Sequence, residues 1–517
     1  MTETLDRTSQ SAHADPSTAT ASLDPTLPDP GQQTLQGRAR LVLLVLCAAN
    51  FLVGIDFSIL NIALPAIGHD LHLGEADLQW VATAFALPSG GLLLLLGRTG
   101  DLIGRRRVFM AGIALFTVAS VLTMLAWSPA ALLAGRALQG LGAAGVVPTG
   151  MALLTTSFPE GRARDRALGI AGSLMATGFT VGTLLGGVLT DLLDWRFTMV
   201  LPIALGVFVL VATPLLITES RNERRTRLDV PGAVTVTGGL LAVIYALTTA
   251  AQQGWTKPGV LGTLLAGVLL LAAFVLIEAR SAHPLVSLRV LRRRTVALGN
   301  LGGLLAFATG SAICFIGMLF LQQVNGLSPI EAGLVFGWLG VLAAVSGTLA
   351  PRAIGRYGSR AVLVFGSVGQ AVGTVVIATM VKNDSVLILL LGGSVWVYGN
   401  LQAVVGFNVT ATSGLANEEQ GLATGLATTT QQVAMTVGIP IMSAVASSRT
   451  AALQRGGLGP VDALVGGFHE AMWVDAAIAL AGAALLAAGL LRRDRGEVGA
   501  PRRERGEVDR REAAIGR

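Results

Sequence analysis

The chain has 517 residues, 52% hydrophobic and only 13% charged, with 65 glycines and a mean hydropathy of +0.66. An ordinary soluble protein is about 25% charged, so this composition excludes a soluble globular domain and points to the bilayer. The net charge of +6 rests on arginine, since Lys257 and Lys382 are the only lysines. Cys47 and Cys314 lie inside separate apolar runs and read as small buried hydrophobes, with no disulfide framework or metal site.

A helix of about 20 apolar residues crosses a membrane. By that measure residues 1–37, rich in Ser, Thr, Pro and Asp, are a disordered tail, not a signal peptide, because no short apolar region with a small-residue cleavage site opens the chain. Fourteen apolar segments follow, near 41–65, 78–97, 108–127, 130–156, 166–190, 197–218, 229–250, 258–278, 296–323, 330–350, 361–381, 386–411, 420–446 and 469–491. Residues 492–517 repeat RGEV within an Arg/Glu run, a basic, solvated end facing anionic lipid.

An even number of spans puts both tails and every second loop on one side. That side holds Arg38 and Arg40, GRTGDLIGRRR, Arg162, Arg164 and Arg166, ESRNERRTR, LRVLRRR, PRAIGRYGSR and the C-terminal tail. The other side holds Arg196, Lys257, Lys382, Arg449 and Arg455. Positive loops stay inside, which predicts both termini in the cytoplasm of a multi-pass inner (plasma) membrane protein.

The fourth segment contains RALQGLGAAG, with Gly140, Gly142 and Gly145 spaced G-x-G-x-x-G and Asp165 further on. This dinucleotide fingerprint requires a strand before it and a helix after it, and here it lies inside an apolar span. The glycines instead make a smooth face for close helix packing. Arg136 and Gln139 in the same stretch are polar groups within the bilayer, costly enough to read as functional.

Four stretches together resemble the major facilitator superfamily, and within it the fourteen-helix drug:proton antiporters. DFSILNIALP (56–65) resembles the first-helix signature, with Ser58 where Thr is usual. GRTGDLIGRRR (97–107) is similar to the cytoplasmic loop motif, RALQGLGAA to the Arg-Gln-Gly pattern of the fourth span, and GIAGSLMATGFTVGTLLGG to the antiporter motif of the fifth, with Gly169, Gly178, Gly182, Gly186 and Gly187 in place. Thr183 stands where the antiporter motif has Pro, so the expected kink is in question, and WRFTMVLP is a shortened version of its segment. PRAIGRYGSR looks like a decayed copy of GRTGDLIGRRR, fitting a duplication of halves. The resemblance implies an all-α polytopic fold: an N-terminal six-helix half (38–220), two inserted helices (221–280) and a C-terminal six-helix half (281–491).

The residues carry their own chemistry. Asp56 and Arg136 fall at matching depths in spans one and four, and burial disfavours a charged carboxylate while an arginine favours it. Such a pair could load and release a proton, or serve only as a packing salt bridge. Gly97 and Gly104 permit a tight turn, and Asp101 among Arg105 and Arg106 is expected to latch across the interface between halves as a cytoplasmic gate, which the resemblance ties to the outward-facing state. Gly178, Gly182 and Gly186 share one helical stripe, expected with Gly187 to let a second-half helix approach and seal the outer side.

Phe85, Gln139, Asn300, Trp396, Asn400, Gln402, Gln431 and Gln432 are the expected lining of a substrate cavity, although helix-to-helix hydrogen bonding explains the amides equally well. His69 and His72 have metal-like spacing but no further ligands. No phosphate-cradling G-x-x-x-x-G-K-[ST] occurs, so the proton gradient and not a cofactor is the expected energy source. The resemblance then implies a monomeric exporter of amphipathic drug-like or antibiotic small molecules, coupled to protons in the lipid bilayer, with no nucleic-acid partner. A symporter or metabolite exporter is the alternative; a membrane enzyme or sensor finds no convergent catalytic set in the spans.

Overall fold

The computed structural model of the protein describes residues 37–158, 162–220, 229–254, 256–281, 288–379, 385–413, 415 and 417–490. The tails read from the sequence lie outside the described residues, apart from Gly37. Sixteen helices follow in chain order: α1 (Arg38–Asp70), α2 (Glu75–Gly91), α3 (Leu93–Ile103), α4 (Arg105–Met124), α5 (Pro129–Ser157), α6 (Arg162–Leu192), α7 (Val200–Leu216), α8 (Val230–Gln253), α9 (Pro258–Arg280), the short α10 (Leu288–Leu291), α11 (Arg294–Leu319), α12 (Pro329–Tyr357), α13 (Ser359–Ala378), α14 (Ser385–Thr412), α15 (Asn417–Arg455) and α16 (Pro460–Leu490). No strand occurs among the described residues.

Each of the fourteen apolar segments falls on a helix, the second on α2 and α3 together. Among the described residues eleven helices are long and apolar enough to cross a bilayer, and α2 with α3 forms a twelfth candidate bent by 46°. Pro88 explains the bend, because it has no N–H to donate to the Ala84 carbonyl one turn before it, while Leu92 donates to the Pro88 carbonyl in the ordinary helical register. Helices α6 and α15 span 31 and 39 residues and stand outside that count.

Local chemistry sets the starts. Ser128 caps α5 and Pro129 follows it; Ser328 and Glu331 form a reciprocal capping box on α12, again with proline first. Both devices satisfy orphan N–H groups at a helix entry. Helix α11 continues into a π-helical turn, Phe320–Val324.

Helices α1 to α7 pack chiefly on one another, as do α11 to α16, while α8 bridges α2 and α15 and carries α9 beside it. Buried side chains form two large clusters, one around α1, α4 and α5 and one joining the far ends of α1 and α5 to α11, α12 and α16. The outer rim is apolar and open, with Val118, Leu215, Leu276, Phe365 and Leu391 each at least half exposed. This inside-out surface is what a lipid environment accepts and water does not.

Candidate functional site

Asp56 in α1 is fully buried, and Arg136 and Gln139 in α5 come to meet it. Arg136 Nη1 donates to Asp56 Oδ2 at 2.7 Å and to Gln139 Oε1 at 2.9 Å, while Gln139 Nε2 donates to Asp56 Oδ1 at 3.1 Å. Both carboxylate oxygens are thus held by α5. Three groups from two further helices complete the cluster: Ser120 Oγ of α4 accepts from Gln139, Thr123 Oγ1 of α4 donates to it, and the Val81 carbonyl of α2 accepts from Arg136 Nε. The guanidinium also lies over the Phe85 ring, 4.5 Å from its centre, a cation–π contact that strengthens away from water. A cavity of about 10 Å³, close to the size of one water, adjoins Arg136 among Phe57, Asn61 and Val81.

The glycines of RALQGLGAAG make this assembly possible. A Cβ on Gly142 would lie 2.7 Å from the Gly112 carbonyl of α4, and one on Gly140 would strike the Phe85 carbonyl of α2. Close backbone approach on both sides of α5 brings Ser120, Thr123 and Val81 within reach of Gln139 and Arg136. Phe85 and Gln139, expected in a substrate cavity, therefore belong to the Asp56 cluster.

The loop between α3 and α4 departs from expectation in its partner. Gly104 has φ 125°, a conformation glycine alone adopts without strain, and it separates two helices whose axes break there. Asp101 accepts from Arg105 Nε at 2.8 Å within the same loop. The acid that reaches over is Glu219, after α7: it accepts from the Arg106 backbone N–H at 3.0 Å and lies 3.7 Å from Arg107. The latch expected of Asp101 is not made across to α11–α16; in this conformation every described ion pair of the loop stays within α3, α4 and the segment after α7. Gly97 serves packing, since a Cβ there would sit 3.0 Å from Pro148 of α5. Gly358, with φ 81° between α12 and α13, occupies the same place in PRAIGRYGSR that Gly104 does in GRTGDLIGRRR.

The glycine stripe of α6 faces the other way from expectation. Gly178, Gly182 and Gly186 pack on α1: added Cβ atoms would meet the Phe51 carbonyl at 2.8 Å, the Ile55 carbonyl at 2.8 Å and Ile59 at 2.9 Å. Helix α12 approaches the neighbouring face of α6, and the small residues there are mainly its own. Gly333 faces the Thr183 carbonyl, Gly337 faces Leu184 and Gly340 faces Thr180, while Gly187 alone of the α6 set meets Pro329. Spacing placed the stripe on one face but could not say which neighbour it faced. Thr183 donates to the Phe179 carbonyl, and α6 runs unbroken where the family's proline would kink it.

The remaining expected cavity residues mostly tie helices together. Asn300 accepts from Thr430 of α15 at 2.8 Å, and Asn400 donates to the Ala306 carbonyl of α11 at 2.9 Å. Gln402 donates to Ser346 of α12 and lines an open groove of about 630 Å³ between α12, α13 and α14, not a central cavity. Trp396 is buried against Gly373. Gln431 and Gln432 are half-buried on α15, with the Gln432 backbone close to Gly90 of α2. His69 and His72 join no cluster able to hold a metal among the described residues. At the end of the molecule that carries them, Arg196 pairs with Asp70 at 2.8 Å and donates to the Ala126 carbonyl, clasping α1, the α4–α5 turn and WRFTM together.

A helical membrane protein with a buried carboxylate–guanidinium cluster between packed spans is the class that fold and site define. The sequence matches the Major Facilitator Superfamily over residues 46–439, and the chain belongs to that superfamily, a family of multi-pass membrane transporters. It is 37% identical to the cephamycin export protein CmcT of Amycolatopsis lactamdurans over 81% of this chain and 87% of that one. It is 35% identical to the puromycin resistance protein pur8 of Streptomyces alboniger, over 83% and 86%. Among solved structures it shares its fold with an auto-inhibited POT family peptide transporter, at 16% identity and TM-score 0.67, covering 89% of this chain and 99% of that one.

Proposed function

We propose that this protein is a proton-coupled antiporter that exports antibiotic-like small molecules across the plasma membrane by alternating access. The Asp56–Arg136–Gln139 cluster carries the reading. It is a carboxylate fully withdrawn from water in a transport family, and intramembrane ionisable groups mark proton and substrate paths. Relatives named for cephamycin export and puromycin resistance supply the cargo class.

In this reading α6 and α15 also cross, making fourteen spans: 31 residues reach about 46 Å as a helix, and α6 lies along α1 and α12. Residues 38–220 and 281–491 form two six-helix halves flanking the pair α8 and α9, with both termini cytoplasmic. The end bearing Asp70 and Arg196 then faces outward. There α6 meets α12, and Gln322 donates to the Ile62 carbonyl of α1 at 3.0 Å, so this conformation is closed to the outside. An unmade loop latch fits it, since Asp101, Arg105, Arg106 and Gly104 would gate the cytoplasmic side in the opposite state.

Protonation of Asp56 would cancel the charge that holds Arg136 and Gln139. Arg136 keeps only Val81, Gln139 and the Phe85 ring, and the hold of α1 on α5 weakens. Proton occupancy thereby biases the two states, which is what coupling requires. The test is purified protein in liposomes enclosing a pH-sensitive dye, with puromycin and a cephamycin added outside. Proton movement on addition, dependent on Asp56, is the expected result; uptake of either compound with no proton movement overturns coupling.

A further inference from the structure

A second acid lies buried in α16 and plays no part in the cluster above. Asp475 is 1% exposed, and neither of its carboxyl oxygens has a hydrogen-bond partner among the described residues. Asp56, by contrast, has both oxygens bound.

The surroundings of Asp475 follow from helix register. Leu305 packs on Gly482, Leu298 on Gly489 and Phe320 on Phe468, which brings Asp475 level with Ala312 of α11. Ala446 and Thr450 against Gly467 bring it level with Ile439 and Met442 of α15. Gln370 of α13 donates to Thr309 and Ala306 of α11, so Thr374 is the α13 residue near that depth, and its hydroxyl donates to the Gln370 carbonyl. Ala312, Ile439 and Met442 are buried hydrophobics in one cluster with Ala471 and Met472.

Among the described residues of the helices packed on Asp475, no cation stands at this level. The charged or titratable residues of α11 are Arg294, at its start, and Cys314; α13 has Arg360, at its start; the π-helical turn has none. Helix α15 has Arg449 and Arg455 near its end and Glu418 and Glu419 near its start, the last two outside the described side chains. Helix α16 itself has Asp462, His469 and Glu470 nearer its start. Among the described residues of these helices, the Cys314 thiol is the one other titratable group within a helical turn of the Asp475 level.

A carboxylate ion with no partner in such a setting carries a large desolvation cost, and the neutral acid a far smaller one. A purely packing position gains nothing from an unbonded acid over leucine. We infer that Asp475 is a second proton-binding carboxyl of this transporter, separate from Asp56 and filled in the conformation closed at the Arg196 end. The step is a simple protonation: one carboxylate oxygen takes a proton to give the acid, and returns it when the α11–α13–α15–α16 interface opens to water. This rests on the proton-coupled reading and doubles its carriers.

Infrared difference spectra of the purified protein in nanodiscs, recorded between low and high pH, read buried carboxylic acids directly. Asp475→Asn should remove one titrating carbonyl band and Asp56→Asn a different one. Asp475→Glu should keep a titrating band at a shifted frequency, which guards against a folding defect in the amide variant. Spectra of Asp475→Asn that superimpose on the parent overturn the assignment. In liposomes the protons moved per puromycin should fall about two-fold in Asp475→Asn as one of two carriers is lost; an unchanged ratio also overturns it. Failure of the parent protein to move protons would instead sink the coupled reading while leaving the spectral result intact.

Discussion

At Asp56 the carboxylate oxygens divide between two donors of one helix, so α1 and α5 are coupled through a single side chain. Asp56→Asn removes the negative charge permanently but preserves shape and most hydrogen-bonding capacity. It should weaken uphill, gradient-driven export of puromycin in liposomes to what the Asp475 carrier alone supports, with the protons moved per puromycin falling about two-fold; an unchanged ratio would reject Asp56 as carrier. Arg136→Ala acts on stability as well, because it strands a buried carboxylate. Breaking one side of a buried ion pair typically costs about 3–5 kcal/mol, so the thermal midpoint should drop sharply. The double variant Asp56→Asn/Arg136→Ala, with no stranded charge, should recover part of that loss. Equal midpoints for the single and double variants would mean the pair contributes little to folding. Ser120, Thr123 and Val81 were not legible beforehand, since hydroxyls and carbonyls on separate helices carry no spacing signal until the helices are packed.

Among the elements, α6 presents glycines to α1 and a mixed face to α12, and the two faces predict different defects. Gly182→Val would drive methyl groups into Ser58 and the Ile55 carbonyl, so it should reduce folded protein in the membrane; forced overpacking costs about 1–3 kcal/mol. Gly337→Val, facing Leu184 across the α6–α12 seam, should leave expression near parental. It should slow export by disfavouring closure at the Arg196 end. Membrane level and export rate, measured together, check the pair, and matching profiles for both variants would erase the distinction. The loop between α3 and α4 offers a further case. Asp101→Ala removes a single half-buried i, i+4 pair within one loop, worth on the order of 0.5 kcal/mol, so folding and membrane level should hold. Transport should slow if Asp101 acts in the opposite state, and parental kinetics would leave it a local contact.

On the scale of the whole molecule, the conformation is set by how α1–α7 meet α11–α16. The junction at the Arg196 end runs through Thr180 with Gly340, Gly187 with Pro329 and Gln322 with Ile62. Cysteines placed at Thr180 and Gly340 should therefore cross-link under oxidant, given adjacent Cβ positions. With Cys47 and Cys314 replaced, cross-linking should arrest export and reductant should restore it. Full export by the cross-linked protein would show that this seam does not open in the cycle.

Composition and apolar segment length alone determined that the chain is helical and membrane-embedded, and roughly where each helix lies. Both follow from a local rule, the need of a backbone in lipid to satisfy its own hydrogen bonds. Motif spacing added the family, and matched depth along two helices anticipated the Asp56–Arg136 pair, because helix rise converts sequence position into depth. Rotation and neighbour identity are not local quantities, and only the tertiary structure decided them. It turned Gly178, Gly182 and Gly186 toward α1, gave Arg106 and Arg107 to Glu219 and moved Gln402 into an outer groove. It also left Asp475 without a hydrogen-bond partner among the described residues. A helix carries several faces of similar small-residue character, and which one meets which partner depends on the joint packing of all the spans.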